Sequence, residues 1–299
     1  MGKTKIEWTA DANGNPGFTF NPWSGCDEVS SGCAMCYAKT MAERFPKIHG
    51  TWGPNGTRVM RSESYWRQPL KWNRAAEKEG VRKRVFCASM ADVFEYLPEN
   101  NPSAMAVFEA RQRLGYLIFD TPNLDWLLLT KRPENVSPFY NGLSRSWPRN
   151  AWLGVSVENQ EMADKRIPIL LDLKRRYDIP VAFLSVEPML GAVTLDADWI
   201  LPRCLFCGRH LATQKSKECH NDCGAPQHEL QSLVNYVICG GESGHNARPM
   251  EMSWALNLRR QCGDAGVPFF FKQGSAANWP DFKNFDSFPP LLRVREFPR

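Results

Sequence analysis

Short apolar runs recur along the chain, and nearly every one ends in a polar or glycine-rich cluster. They are GFTF before Asn21, RVFCAS before Met90, LDWLLLT before Lys131, AWLGVSV before Glu158, VAFLSV before Glu187, VNYVICGG before Glu242 and VPFFF before Lys272. Runs of this length, apolar almost throughout, predict seven strands buried on both faces. Between them the pattern turns helical over 33–45, 62–79, 102–119, 159–177 and 253–265. In the last of these, Ser253 is placed to cap the start and Gly266 to end the helix.

Strand alternating with helix predicts an α/β fold, a partial or complete parallel (β/α) barrel. Barrels of this kind place their chemistry on the loops after the C-terminal ends of the strands. The polar clusters fall there and nominate Ser89, Asp92, Thr130, Lys131, Arg132, Ser156, Glu158, Glu187, Gly240, Gly241 and Glu242. One stretch breaks the alternation: 203–231 shows neither a clear strand nor a long helix, and carries four cysteines and three histidines. The chain is thereby divided into a first barrel part at 1–202, an insertion at 203–231 and returning barrel strands with a tail at 232–299. The closing FPPLLRVREFPR is too proline-rich for a helix and is expected to wrap the surface.

Composition adds a class. Hydrophobic residues make up 43% and charged residues 23% of the 299, the balance of an ordinary globular protein. The longest apolar runs fall far short of the roughly 20 residues a membrane helix needs. The N-terminus lacks a signal-peptide stretch, so a cytoplasmic location is expected. Ten cysteines in a reducing compartment read as metal ligands or small buried residues rather than disulfides. A net charge of +5 permits a polyanionic partner without demanding one.

Two cysteine groups stand out. Cys204 and Cys207, then Cys219 and Cys223, form two close pairs that match a structural zinc knuckle, with His220 as a substitute ligand. Metal binding would supply the folding free energy of so apolar-poor an insertion. Cys26, Cys33 and Cys36 are spaced C-x6-C-x2-C just after the first strand. A fourth thiol would close a zinc site. Cys87 lies mid-strand and Cys262 on a helix face, where a buried apolar thiol is the ordinary explanation, so Cys239 is the serious candidate. Alternatively, three cysteines hold an iron–sulfur cluster and leave one iron open to an external ligand, with Trp23 and Tyr37 beside it as shields.

TKIEWT, NPWSGC, VSSGCAMCYA, GGESG and RPM together resemble the radical S-adenosylmethionine (SAM) superfamily, and more narrowly a phage-borne uncharacterised family, from Thr4 to about Gln273. The resemblance implies a [4Fe-4S] cluster on Cys26, Cys33 and Cys36, with SAM on the open iron. It places the methionine ammonium near Ser89 and Asp92, the carboxylate near Thr130, Lys131 and Arg132, and the ribose near Ser156 and Glu158. Glu187, Gly240, Gly241 and Glu242 line the later strands. Tyr37 or Trp23 would meet adenine, since Met35 stands where an aromatic is common. Six residues between the first two cysteines, rather than three, depart from the superfamily pattern.

The implied activity is reductive cleavage of SAM to a 5′-deoxyadenosyl radical. An external donor such as flavodoxin or ferredoxin would supply the electron. The substrate it implies is a hypermodified thymidine in phage DNA, in the host cytoplasm, isomerised or rearranged at carbon. Photodimer repair and tRNA modification are alternatives, and a non-enzymatic zinc-dependent nucleic-acid-binding module is the rival of another class. Cys239 could return a hydrogen atom, although a buried small residue is the plainer reading. Base flipping would draw on Trp52, Tyr65 and Trp66 near Arg58, Arg61 and Arg67, for which surface packing is the plainer reading.

Overall fold

The computed structural model describes residues 4–11, 13–137, 146–201, 203–204, 230–231 and 233–298, the two short pairs by backbone alone. Its strands in chain order are β1 (Phe18–Thr19), β2 (Trp23–Ser24), β3 (Val59–Met60), β4 (Lys83–Cys87), β5 (Leu124–Thr130), β6 (Ala151–Ser156), β7 (Ala182–Val186), β8 (Arg203–Cys204), β9 (Leu230–Gln231), β10 (Tyr236–Gly240) and β11 (Phe269–Gln273). The longer helices are α1 (Tyr37–Arg44), α2 (Gln68–Glu79), α3 (Ala104–Phe119), α4 (Gln160–Tyr177) and α5 (Met252–Ala265).

All seven expected strands enter one parallel sheet in the order β1-β4-β5-β6-β7-β10-β11, compatible with a partial (β/α) barrel. Strands β4, β6, β7 and β10 are buried at every position, as parallel strands covered on both faces must be. No helix among the described residues is long and apolar enough to cross a membrane.

Two compact units divide the chain: Met1–Val155 with Arg175–Pro180, and Ser156–Lys174 with Val181–Arg299. In the first, Phe20 organises an aromatic core. It stacks on Tyr65 at 5.1 Å and meets Trp66 and Trp126 edge-on at 5.2 and 5.6 Å. Asn150 ties the frame together, its amide nitrogen standing 3.0 Å from the carbonyls of Ile118, Thr121 and Leu124. These carbonyls close α3 and open β5; that of Ile118 also accepts from the Thr121 N–H, that of Thr121 from the Leu124 N–H and that of Leu124 from Arg82 Nη2.

In the second unit, the proline-rich tail forms no α-helix and runs largely along the surface, as expected, but two of its residues anchor it. Phe288 and Leu292 are buried, and Phe288 meets Phe271 edge-on at 5.0 Å. Phe271 N–H donates to the Val294 carbonyl and Glu296 N–H to that of Phe269, so the tail covers the outer edge of β11. Helix α5 begins at Met252 with Glu251 as its cap residue, which moves Ser253 into the first turn. Gly266 ends the helix in the left-handed region at φ 61°, as expected.

The insertion is joined at its base by an antiparallel ladder, Arg203 opposite Gln231 and Cys204 opposite Leu230. Cys207, Cys219 and Cys223 lie outside the described residues, as does the side chain of Cys204.

Replacing Asn150 with alanine removes the hydrogen bonds of a buried amide to three carbonyls. The expected cost is about 1–3 kcal/mol, read from the urea midpoint at unchanged slope.

Candidate functional site

The cysteine loop begins where β2 ends. Cys26 follows Gly25, Cys33 closes a short 3-10 turn at Ser31–Cys33, and Cys36 is the cap residue of α1. The Cys36 N–H donates to the Cys33 carbonyl at 3.1 Å, which holds the last two thiols in one tight turn. Cys33 is buried, and Cys26 and Cys36 are half-buried.

Asp92 and Arg132 control the first thiol. Asp92 accepts from Thr130 Oγ1 at 2.8 and 2.9 Å, from Lys131 N–H at 2.9 Å, from Phe94 N–H at 3.0 Å and from Arg132 Nη1 at 3.2 Å. So held, Arg132 directs Nη1 to Cys26 Sγ at 3.8 Å and Nη2 to the Asp27 carbonyl at 2.9 Å. Burial pushes the Cys26 thiol up to about 12. The charges of Glu95 and Asp92 add to the rise and that of Arg132 opposes it. A bound metal reverses this preference, because a coordinating thiol is deprotonated outright.

Behind the loop, Glu95 accepts from Trp23 Nε1 at 3.1 Å and from Arg58 Nε and Nη2 at 2.9 Å each. The Arg58 and Glu95 side chains are almost fully buried, which removes Arg58 from any phosphate-binding role on the surface. Trp66 is core as well, with Arg113 4.4 Å from its ring centre. Trp23 is wholly buried and its ring cannot meet a ligand. Tyr37 is different: its ring is 57% exposed while its hydroxyl donates to the Ser89 carbonyl at 2.7 Å. Burial of that hydroxyl end pushes the phenol up to about 12.

The first unit therefore brings together Cys26, Cys33, Cys36, Tyr37, Ser89, Asp92, Thr130, Lys131 and Arg132. Asn21 belongs with them and was not singled out from the sequence: its amide meets Ser89 Oγ at 3.2 Å and accepts from Met90 N–H at 2.8 Å. Its position directly after the first apolar run was the available signal.

The second unit holds the remaining candidates, each acid with its own base. Glu158 Oε2 lies 2.8 Å from Arg166 Nη1, both buried, and the same nitrogen donates to the Ser156 carbonyl at 2.9 Å. Glu242 accepts from the Arg248 N–H at 2.7 Å and from its guanidinium at 3.2 and 2.5 Å. Glu187 Oε1 is 3.0 Å from Lys272 Nζ, within ion-pair distance but not aligned as a hydrogen bond. A Cβ at Gly241 would stand 2.7 Å from the Ser275 backbone, and one at Gly240 would stand 2.8 Å from Glu187 Oε1. Close backbone packing accounts for Gly241, while at Gly240 the nearest atom is the end of the Glu187 side chain. Cys239 is fully buried against Met189, with Sγ 3.7 Å from Sδ, and burial, followed by the Glu187 charge, holds its thiol well above the ordinary range.

Among the described residues, no three His, Cys, Asp or Glu side chains converge as they would around a single ion. Thiolates of a multi-iron cluster bind different irons and do not need to converge on one point. Three thiols on one loop, the first already receiving an N–H, form a donor set of the kind such clusters take.

Glu95→Ala leaves the Arg58 charge buried without its partner. The expected loss is about 3–5 kcal/mol in a denaturant titration, most of it recovered in an Arg58→Met, Glu95→Leu double variant.

A family model described as a protein of unknown function, DUF5131, matches residues 3–285. No curated protein and no solved structure matches the chain. The resemblance to the radical SAM superfamily is thereby corrected: the family found is an uncharacterised one and no match to that superfamily accompanies it, in keeping with the departure in cysteine spacing. Because the match spans nearly the whole sequence, the chain belongs to the DUF5131 family.

Proposed function

We propose that the protein is an iron–sulfur enzyme that reductively cleaves S-adenosylmethionine and acts on a nucleic-acid base, with Cys26, Cys33 and Cys36 holding a [4Fe-4S] cluster. The observation that carries this reading is the Arg132 contact to Cys26, made by a buried guanidinium that is itself fixed by Asp92. A cluster held by Cys26, Cys33 and Cys36 would supply the one-electron reduction that splits S-adenosylmethionine into methionine and a 5′-deoxyadenosyl radical, with an external flavodoxin or ferredoxin as the electron source.

The roles of the chain's own residues follow from their surroundings. Cys33 and Cys36 are set by one turn, so the loop is shaped before metal arrives. Arg132 positions Cys26 and offsets negative charge on its sulfur. The exposed Tyr37 ring, anchored at its hydroxyl, offers a face for adenine. Since its carboxylate already serves four residues, Asp92 acts through Arg132 rather than on a ligand. Glu158, Glu187 and Glu242, each beside a base, are assigned to holding the strand ends.

The finer points belong to the same proposal. Cys204, Cys207, Cys219 and Cys223 take a structural zinc ion in the insertion. The substrate is a hypermodified thymidine in DNA, and the reaction takes place in the cytoplasm.

Anaerobic preparations are expected to contain about four irons and one zinc per chain. Only the iron should be lost in the Cys26→Ala, Cys33→Ala, Cys36→Ala variant, and wild type with SAM and dithionite should release 5′-deoxyadenosine. Two zinc ions with no iron after reconstitution would sink the reading and leave a zinc-dependent binding module. Arg132→Met should keep its iron but lower the cluster's midpoint potential by about 60 mV, the equivalent of one charge-assisted hydrogen bond, in a potentiometric titration.

A further inference from the structure

Two buried arginines of the first unit sit against carboxylates, Arg58 on Glu95 and Arg132 on Asp92. Arg61 does not. It is half-buried, and no carboxylate among the described residues lies within ion-pair distance of it. Its Nη2 donates to Ser24 Oγ, its guanidinium carbon lies 5.8 Å from the centre of the Tyr65 ring, and its Nε is a buried atom with no hydrogen-bond partner. A guanidinium carries five N–H donors, so most of this one is unused.

His49 shares the same hydroxyl, with Nδ1 3.4 Å from Ser24 Oγ. Burial, and then the Arg61 charge, hold its pKa below the usual histidine value. A cation and a titratable ring thus meet at one oxygen with no acid between them, an arrangement that an added anion would stabilise. The parts are fixed in place by backbone. Ser24 pairs with Val59 and Trp23 with Met60 across β2 and β3, and the Arg61 N–H donates to the Pro22 carbonyl at 3.1 Å.

We propose that Arg61, His49 and Ser24 form an oxyanion site that takes a phosphate group of the substrate. A carboxylate has two oxygens, which one guanidinium satisfies alone. Donors from three residues suit the larger oxygen set of a phosphate. Ser24 lies two residues before Cys26, so a phosphate held there brings a nucleotide to the cysteine loop. The site needs no metal and is tested without SAM or reductant. Its failure is therefore separate from failure of the cluster reading.

The test is isothermal calorimetry on the full chain at constant ionic strength, with inorganic phosphate, thymidine monophosphate, a short thymine oligonucleotide and acetate. Wild type should bind the three phosphate probes. Arg61→Gln should weaken each by about tenfold or more, the loss of a hydrogen bond to a charged group, and His49→Gln should weaken each by a smaller factor. Should Arg61→Gln fail to fold, Arg61→Lys decides, since it keeps the charge, loses the planar donors and should fall between. Tighter binding of the oligonucleotide than of the mononucleotide identifies a strand phosphate, and equal binding a free nucleotide; both support the assignment. Absence of binding at millimolar phosphate, an unchanged affinity in the Arg61 variants, or acetate binding as tight as phosphate overturns it.

Discussion

The Asp92 carboxylate is the point on which the cysteine loop depends. It lies in the loop after β4, and its oxygens gather a hydroxyl and an amide from the end of β5, an amide from its own loop and the guanidinium of Arg132. A buried carboxylate is costly unless its lone pairs are filled, and here four residues fill them. The result is a fixed cation facing a sulfur contributed by a third segment. Neither Cys26 nor Arg132 could hold that contact alone, because a long arginine side chain loses rotamer entropy when ordered and needs a rigid support to offset it.

The same device recurs in the second unit. Glu158 with Arg166, Glu187 with Lys272 and Glu242 with Arg248 stand after β6, β7 and β10. Backbone contacts link these ends further: Leu190 N–H donates to the Glu158 carbonyl, Met189 N–H to that of Gly240 and Gly241 N–H to that of Gln273. Loops joined in this way are set by charge and hydrogen bonds where the apolar ladder stops, so polar clusters after strands serve architecture, beside the chemistry proposed for those of the first unit.

That double use explains what the sequence could and could not reveal. The seven strands were legible because each is buried on both faces and reads as an unbroken apolar run. The turn that holds Cys33 and Cys36 was legible from their C-x2-C spacing. Pairing partners were not: Arg166 lies on a helix face and Arg248, although part of the RPM stretch, in a loop, and nothing in either place names the acid it meets. Arg58 and Trp66 read as surface groups, but a carboxylate 37 residues from Arg58 and the ring of Phe20 draw them into the core. The tail resisted reading because prolines exclude a helix without indicating that the chain will cover a sheet edge.

The ladder of β8 with β9 has a consequence for how such a chain can vary. With Arg203 beside Gln231, the two ends of the insertion leave the second unit as neighbours. A tight turn could join them as readily as a long segment, and loop-closure entropy changes only slowly with the length in between. The position is a natural port. Relatives could gain or lose whole modules there, and a reporter or affinity domain could be spliced in, while the strands on either side keep their register.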